Sequence, residues 1–261
     1  LNQRGWDVFS LDWRGQGLSS RWLKNPHKGH VERFEDYLLD LETCMNQVVW
    51  REFTGPVILL AHSMGGHLAL RYLHRLFGAT TGPAKDEVKR LAGAVLSSPM
   101  VDIQTGILPR RVARLVAKTG VAAGFREAYV PGGGDYLPEK QAFRNNPLTS
   151  DPVRFQDHIR EVQKNPALAV GGVTFGWIRA AFDSIDLIHR PGFLDPISCP
   201  VILAGAQEDR IVSVEAQRSL SRGLDRGEFL LIKKARHEIL KERDEIQAPF
   251  WLRFDHFANS I

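Results

Sequence analysis

The feature that most constrains the fold is a strand, a sharp turn and a helix encoded in residues 56–70. Residues 57–60 are an unbroken apolar run, which is typical of a strand buried on both faces. Residues 67–77 carry apolar side chains at helical spacing. Between them, the sequence AHSMG at residues 61–65 has a small residue two before and two after a serine, as a tight turn requires. The pattern predicts that the Ser63 hydroxyl is raised above a sheet edge; the plainer interpretation is an ordinary helix start.

Strands and helices alternate along most of the chain. Short apolar runs predict strands, and helical periodicity predicts helices between them. The predicted strands are residues 6–12, 57–61, 91–97, 200–205 and 228–232, and the predicted helices are residues 31–49, 67–77, 216–224 and an aromatic-rich segment at the end of the chain. Repeated strand–helix units predict an α/β fold whose mostly parallel sheet has helices on both faces.

The alternation stops between residues 100 and 191, where helical segments and loops take over. We therefore expect a core made of residues 1–99 and 192–261 and an inserted helical cap, or lid, of residues 100–191. Within the cap, residues 108–118 form an amphipathic helix with Arg111, Arg114 and Lys118 on its basic face. We expect this face to meet anionic lipid head groups and the apolar face to line an acyl pocket. The alternative is a helix that packs its apolar side on the core.

Composition excludes several classes of function. The chain has 261 residues, 43% hydrophobic and 25% charged, which is ordinary for a soluble enzyme, and it has no apolar run of membrane-spanning length. The net charge of +4 comes without a dense basic block, so the sequence does not support nucleic-acid binding. The glycine loop at residues 13–19 lacks a complete nucleotide-binding motif. The two cysteines have no metal-like spacing and favour a reducing compartment.

Three residues form a candidate catalytic set. A serine hydroxyl needs an adjacent base to become a nucleophile. His237 follows the last predicted strand, which ends at the same sheet edge as Ser63. The histidine in turn needs a carboxylate to hold its tautomer. Asp209 follows the strand at residues 200–205, and its neighbour Glu208 is the rival.

These residues resemble those of α/β-hydrolases in the group of bacterial lysophospholipases and monoacylglycerol lipases, which is also grouped with serine aminopeptidase-like domains. The resemblance rests on five stretches spread over nearly the whole chain, at residues 12–19, 61–67, 146–151, 205–209 and 235–240. It implies the α/β-hydrolase fold with a helical cap. It also implies that Ser63 is the nucleophile, Asp209 the acid and His237 the base, with the backbone N–H of Met64 in the oxyanion hole.

The resemblance implies a serine hydrolase that cleaves carboxylic esters of single-chain lipids through an acyl-enzyme, with no metal and no cofactor. The partners would be a small lipid ester and, peripherally, an anionic membrane, which places the protein in the cytoplasm and at the inner face of the membrane. His62, Phe175 and Trp177 are further candidates for substrate binding. An aminopeptidase, a thioesterase and an acyltransferase share the same triad. An inactive fragment or a binding module is the alternative outside enzymes.

The chain departs from the family pattern in two places. Ala61 stands where the family usually has glycine, and it is small enough for the turn. The family's first three strands, and the His-Gly loop that supplies the second oxyanion donor, have no counterpart in residues 1–261. We therefore expect an N-terminally truncated fold, a second donor that is not in this chain, and a gap or a non-family pairing between residues 6–12 and 57–61.

Overall fold

Four parallel strands carry the site. The computed structural model describes residues 1–79, 84–106 and 108–261. Its strands are β1 (Val57–His62), β2 (Leu91–Ser97), β3 (Val201–Ala206) and β4 (Gly227–Ile232), and they lie in that order in one sheet. All neighbouring pairs are parallel, so every strand ends at the same edge. The loops that follow β1, β3 and β4 are thereby brought together, as the sequence predicts.

Helices connect the strands, and two of them begin at a residue whose side chain accepts hydrogen bonds from the first backbone amides of the helix. Asp151 accepts hydrogen bonds from the amides of Val153 and Arg154, and Thr174 accepts one from the amide of Trp177. The first helix continues through a π-helical turn at Met45–Val49. The helices are α1 (Phe34–Cys44), α2 (Trp50–Glu52), α3 (Met64–Gly78), α4 (Ala84–Arg90), α5 (Arg110–Ala122), α6 (Pro152–Lys164), α7 (Phe175–Ile188), α8 (Val214–Arg222) and α9 (Asp244–Ala258).

Apolar side chains cover both faces of the sheet. Because side chains alternate along a strand, Leu96 and Leu203 face one side while Val95 and Ile202 face the other. The first side packs against α1, α3 and α8, and the second against the aromatic side of α9. Truncating a wholly buried leucine such as Leu96 to alanine would cost about 2–5 kcal/mol of stability. This two-sided core holds the strand ends, and therefore the site, in fixed positions.

The predicted strand at residues 6–12 is wrong. This segment has no regular secondary structure and belongs to no ladder, and β1 pairs only with β2. A cavity of about 640 Å³ is lined by residues 5–11 and by β1. The reason for the error is that a strand needs a partner at about 4.8 Å to satisfy its backbone groups. The same gap leaves every residue of β1 only partly buried, although its apolar run is typical of a strand buried on both faces.

The cap, residues 100–191, lies between β2 and β3 in the chain. In its described residues, 100–106 and 108–191, it contains α5, α6 and α7 and no strand. The limits of cap and core given above remain a prediction. Helix α5 packs along α7, and Phe175 lies where a side chain at Gly120 would otherwise be.

Both expectations for the apolar side of the amphipathic helix α5 are wrong, because that side neither lines a pocket nor packs on the core but faces outward. The expected contact of its basic residues with anionic lipid remains a prediction, and Arg111 and Lys118 are exposed. Arg110 binds Asp102 and Asp186, and Arg114 also binds Asp186. These ion pairs turn the arginines toward the protein. The apolar side is left facing outward, with exposed side chains at Leu108, Val112, Leu115 and Val116. An amphipathic pattern does not say which of its faces is buried.

Candidate active site

Ser63 stands at the turn between β1 and α3 in a strained backbone conformation. Its φ of 51° and ψ of −118° lie outside the regions that side-chain-bearing residues prefer. Two hydrogen bonds hold it there: its N–H donates to Ser97 O at 3.0 Å, and its own carbonyl accepts from the Met100 amide at 2.9 Å. A Cβ at Gly66 would lie 2.8 Å from Pro99, so this position needs glycine. The tight turn is therefore built by β2 as well as by its own sequence.

The structure brings the three predicted catalytic residues into one hydrogen-bonded chain. His237 Nε2 lies 2.9 Å from Ser63 Oγ, and His237 Nδ1 lies 2.8 Å from Asp209 Oδ2. The Ser63 hydroxyl can donate to Nε2 while Nδ1–H donates to the carboxylate. Asp209 and His237 are buried, whereas the rival carboxylate of Glu208 is exposed and lies on the neighbouring residue.

Backbone donors fix the Asp209 carboxylate. Its Oδ1 accepts from the amides of Ile211 at 2.8 Å and Val212 at 3.0 Å, which leaves Oδ2 for His237. The amide of Glu208 donates to Ala235 O at 2.8 Å and ties the loop after β3 to the loop after β4. With both oxygens occupied, the carboxylate can hold the histidine in only one tautomer.

Met64 is the first residue of α3. The first N–H groups of a helix have no partner inside it and lie at the positive end of the helix dipole. Since Met64 directly follows Ser63, its amide is a candidate donor to an oxygen that gains negative charge on the attacked carbon.

The other three candidate residues take different places. The His62 ring is centred 4.8 Å from the His237 ring. Trp177 packs edge-on against Phe34, in the same apolar cluster as Met64. Phe175 packs against α5 at Gly120 instead. His62 therefore borders the triad, Trp177 packs on the apolar cluster that Met64 also contacts, and Phe175 joins two cap helices.

Two histidines near Ser63 are held neutral. His62 Nδ1–H donates to Ser97 O at 3.1 Å, and burial, with the neighbouring His237 second, lowers the pKa of His62 to about 4. His67 Nδ1–H donates to Met100 O at 3.0 Å, and its Nε2 accepts from the Ser184 hydroxyl at 2.6 Å. Complete burial lowers the pKa of His67 to about 3. Near neutral pH neither ring adds a positive charge beside the triad.

These pKa values predict how stability depends on pH. As the pH falls below 6.5, His62 and His67 become protonated in the unfolded chain but stay neutral in the folded chain, where their pKa values are lower. Their contribution to the free energy of unfolding should be complete above that pH and should fall toward acid pH, by about 1.4 kcal/mol per pH unit for each ring. Urea unfolding curves across this range measure it. His67→Gln should show a shallower dependence, and a flat profile in the parent protein would contradict the neutral rings.

Comparison with known proteins places the chain in a family. Residues 1–244 match the profile of the Hydrolase_4 family, described as serine aminopeptidase, S33. The chain belongs to this family. Lysophospholipase L2 of Escherichia coli strain K12 is 33% identical over 258 residues, which cover 94% of this chain and 69% of that protein. The probable lysophospholipase L2 of Haemophilus influenzae is 30% identical over 258 residues, covering 98% and 76%.

A solved structure shows the same fold. A soluble variant of monoglyceride lipase from Saccharomyces cerevisiae superimposes with a TM-score of 0.67 at 18% identity, covering 95% of this chain and 76% of that one. The chain therefore has the α/β-hydrolase fold, and the family resemblance carried by its motifs is confirmed.

Some functional candidates were not visible in the sequence. Arg210, Arg236 and Glu242 connect the triad loops to the cap, as described below. Arg210 directly follows Asp209, and Arg236 directly precedes His237. That adjacency is the only feature of the local sequence that points to a functional role for the two arginines. Glu242 has no such feature, because its partners in the cap, Thr149 and Ser150, lie 93 and 92 residues away.

Proposed function

We propose that this chain hydrolyses carboxylic esters of single-chain lipids, such as lysophospholipids and monoacylglycerols, through an acyl-enzyme on Ser63. The observation that carries the proposal is the hydrogen-bonded chain from Ser63 through His237 to Asp209. Relatives named lysophospholipase L2 and a structural neighbour named monoglyceride lipase support the substrate class.

The proposed reaction has two halves. In the first, Ser63 Oγ attacks the ester carbonyl while His237 Nε2 takes its proton, and the Met64 amide donates to the developing oxyanion. The carbon–oxygen ester bond breaks, and the leaving alcohol takes the proton from His237. In the second half, His237 removes a proton from water as the water oxygen attacks the acyl carbon. The bond between that carbon and Ser63 Oγ breaks, His237 returns the proton to Oγ, and the fatty acid is released. Asp209 holds the imidazolium throughout.

His62 has a supporting role in this proposal. Its neutral ring packs against His237 without placing a like charge beside the imidazolium. Trp177 packs against the same apolar cluster as Met64, which supports a contact between Trp177 and the substrate. Phe175 packs against α5, so it would support the substrate site only indirectly.

A substrate panel tests the proposal. The family description favours a second candidate, release of N-terminal residues from peptides. We expect hydrolysis of a lysophosphatidylcholine and a monoacylglycerol to exceed that of an aminoacyl anilide by at least about 100-fold in kcat/KM, since an amide is the harder bond for a site that binds acyl chains. Preference for the anilide would make the chain an aminopeptidase, and preference for an acyl thioester would make it a thioesterase.

We also propose that α5 docks on an anionic lipid surface. Its outward apolar side chains form a stripe, and Arg111 and Lys118 are exposed at one flank of that stripe. Such a face suits the boundary between acyl chains and anionic head groups. The cytoplasmic leaflet carries such lipids, which supports a position at the inner face of the membrane. Within the ranges that the structure describes, no helix has the length and apolar character that a membrane crossing requires.

Replacing two residues of the stripe tests this docking. Val112→Asp with Leu115→Asp should weaken activity on anionic vesicles about tenfold or more, because each buried apolar side chain contributes about 1.5–3 kcal/mol. Hydrolysis of a soluble short-chain ester should stay within about twofold of the parent, since both substituted side chains are exposed on α5. Leu252→Asp is the matched control, because Leu252 on α9 is 74% exposed. Equal losses on vesicles and on the soluble ester would contradict the docking.

A further inference from the structure

A turn of the cap, residues 145–151, is bound to both loops that carry the base and the acid. Arg210, the neighbour of Asp209, donates to the carbonyls of Asn145 at 2.9 Å and Asn146 at 3.2 Å. Arg236, the neighbour of His237, donates to Asn146 O at 3.1 Å and to Thr149 O at 3.0 Å. One carbonyl, that of Asn146, therefore receives an arginine from each triad loop.

The backbone of the base is attached to the same turn. The His237 amide donates to Pro147 O at 3.2 Å, and the Glu238 amide donates to Leu148 O at 2.8 Å. The turn is itself braced, because the side chain of Asn146 accepts from the amides of Leu148 and Thr149. The position of the His237 ring is thus set partly by the cap and not by the core alone.

Glu242 makes a further connection between the His237 loop and the cap turn. It is completely buried. Its Oε1 accepts from the Arg236 amide at 2.7 Å, and its Oε2 accepts from the amide of Ser150 at 3.0 Å and the Ser150 hydroxyl at 2.5 Å. A second hydroxyl, that of Thr149, lies 3.4 Å from Oε2. A buried carboxylate is tolerated only when hydrogen bonds replace its lost hydration, and here the donors come from the His237 loop and from the cap.

We infer that Glu242 is a positioning residue, which locks the His237 loop to the cap turn at residues 145–151 so that His237 Nε2 stays within reach of Ser63 Oγ. It touches neither substrate nor the reacting atoms. The inference rests on the proposed function, because it concerns how the base of that reaction is held. A displacement of about 1 Å at a catalytic group lowers turnover by about 100-fold.

Two substitutions at Glu242 test the inference with a soluble short-chain ester. Glu242→Ala removes both acceptors, and we expect kcat per active site to fall about 100-fold with KM within about threefold of the parent. Glu242→Gln keeps one acceptor for the Arg236 amide, so its kcat should be about tenfold higher than that of Glu242→Ala. Active sites are counted by burst titration, well below each variant's melting temperature. Glu35→Gln, which loses ion pairs to Arg71 and Arg75 on α3, is the control for loss of stability alone.

The outcomes separate the possible failures. A parent protein that does not hydrolyse the ester overturns the proposed function itself. An active parent with an unchanged kcat in both Glu242 variants overturns the positioning role, even if their melting temperatures fall. If Glu242→Ala does not fold, Glu242→Gln carries the test alone: a kcat per active site at least about fivefold below that of Glu35→Gln supports the inference, and equal values overturn it.

Discussion

Ser63→Ala is expected to lower turnover of a soluble ester by on the order of 10⁴- to 10⁶-fold relative to the parent protein. The substitution removes the only oxygen that His237 Nε2 contacts in the triad, at 2.9 Å, so no acyl-enzyme can form there. The fold should be unaffected, because Ser63 is held through its backbone N–H and carbonyl. Steady-state kinetics on protein with an unchanged melting temperature measures the effect.

Ser97→Ala is the local control for this experiment. Ser97 holds the turn at Ser63 through its main-chain carbonyl, which the substitution keeps. The substitution removes only a hydroxyl that lies 3.4 Å from His62 Nδ1. We expect activity within about tenfold of the parent. A Ser63→Ala protein that retains more than about a hundredth of parental turnover would show that another residue is the nucleophile.

Asp209→Asn is expected to lower kcat by on the order of 10³- to 10⁴-fold. The carboxylate Oδ1 accepts from two amides, so the asparagine oxygen will take that position and its NH₂ will face His237 Nδ1. His237 must then accept at Nδ1 and carry its proton on Nε2, where it can no longer take the proton of Ser63. The loss should appear in kcat with little change in KM, because no substrate contact is removed.

The neighbouring carboxylate supplies the control for Asp209. Glu208→Gln makes the same chemical change on an exposed side chain, and we expect activity within about twofold of the parent. If the effects were reversed, with Glu208→Gln severe and Asp209→Asn mild, the acid of the triad would be Glu208 and the arrangement around His237 would have to differ from the structure.

Local sequence was sufficient to predict the turn that carries Ser63 and the two residues that join it in the site. A strand, a small-residue turn and a helix follow one another within residues 56–70, and each is defined by contacts over a few positions. The ends of β3 and β4 then place Asp209 and His237 at the same edge, because all strands are parallel. The structure brings these residues within hydrogen-bond distance of one another.

Features that depend on distant partners could not be predicted. Residues 6–12 have the composition of a strand, but a ladder needs a neighbour that the segment does not have. For α5, periodicity predicted the amphipathic character, whereas the inward face depends on ion pairs with Asp186, which is 76 residues from Arg110. Glu242 was missed for the same reason, since its donor Ser150 is 92 residues away.

Mass spectrometry of an acid-quenched reaction with a lysophospholipid tests the central claim most directly. Trypsin releases residues 52–71 as one peptide, in which Ser63 is the only serine. The account predicts that during turnover this peptide gains the mass of the fatty acid minus one water. The same peptide from Ser63→Ala should show no such gain. Hydrolysis of the lipid with the acyl mass on another peptide, or with no acylated peptide and undiminished turnover in Ser63→Ala, would contradict it.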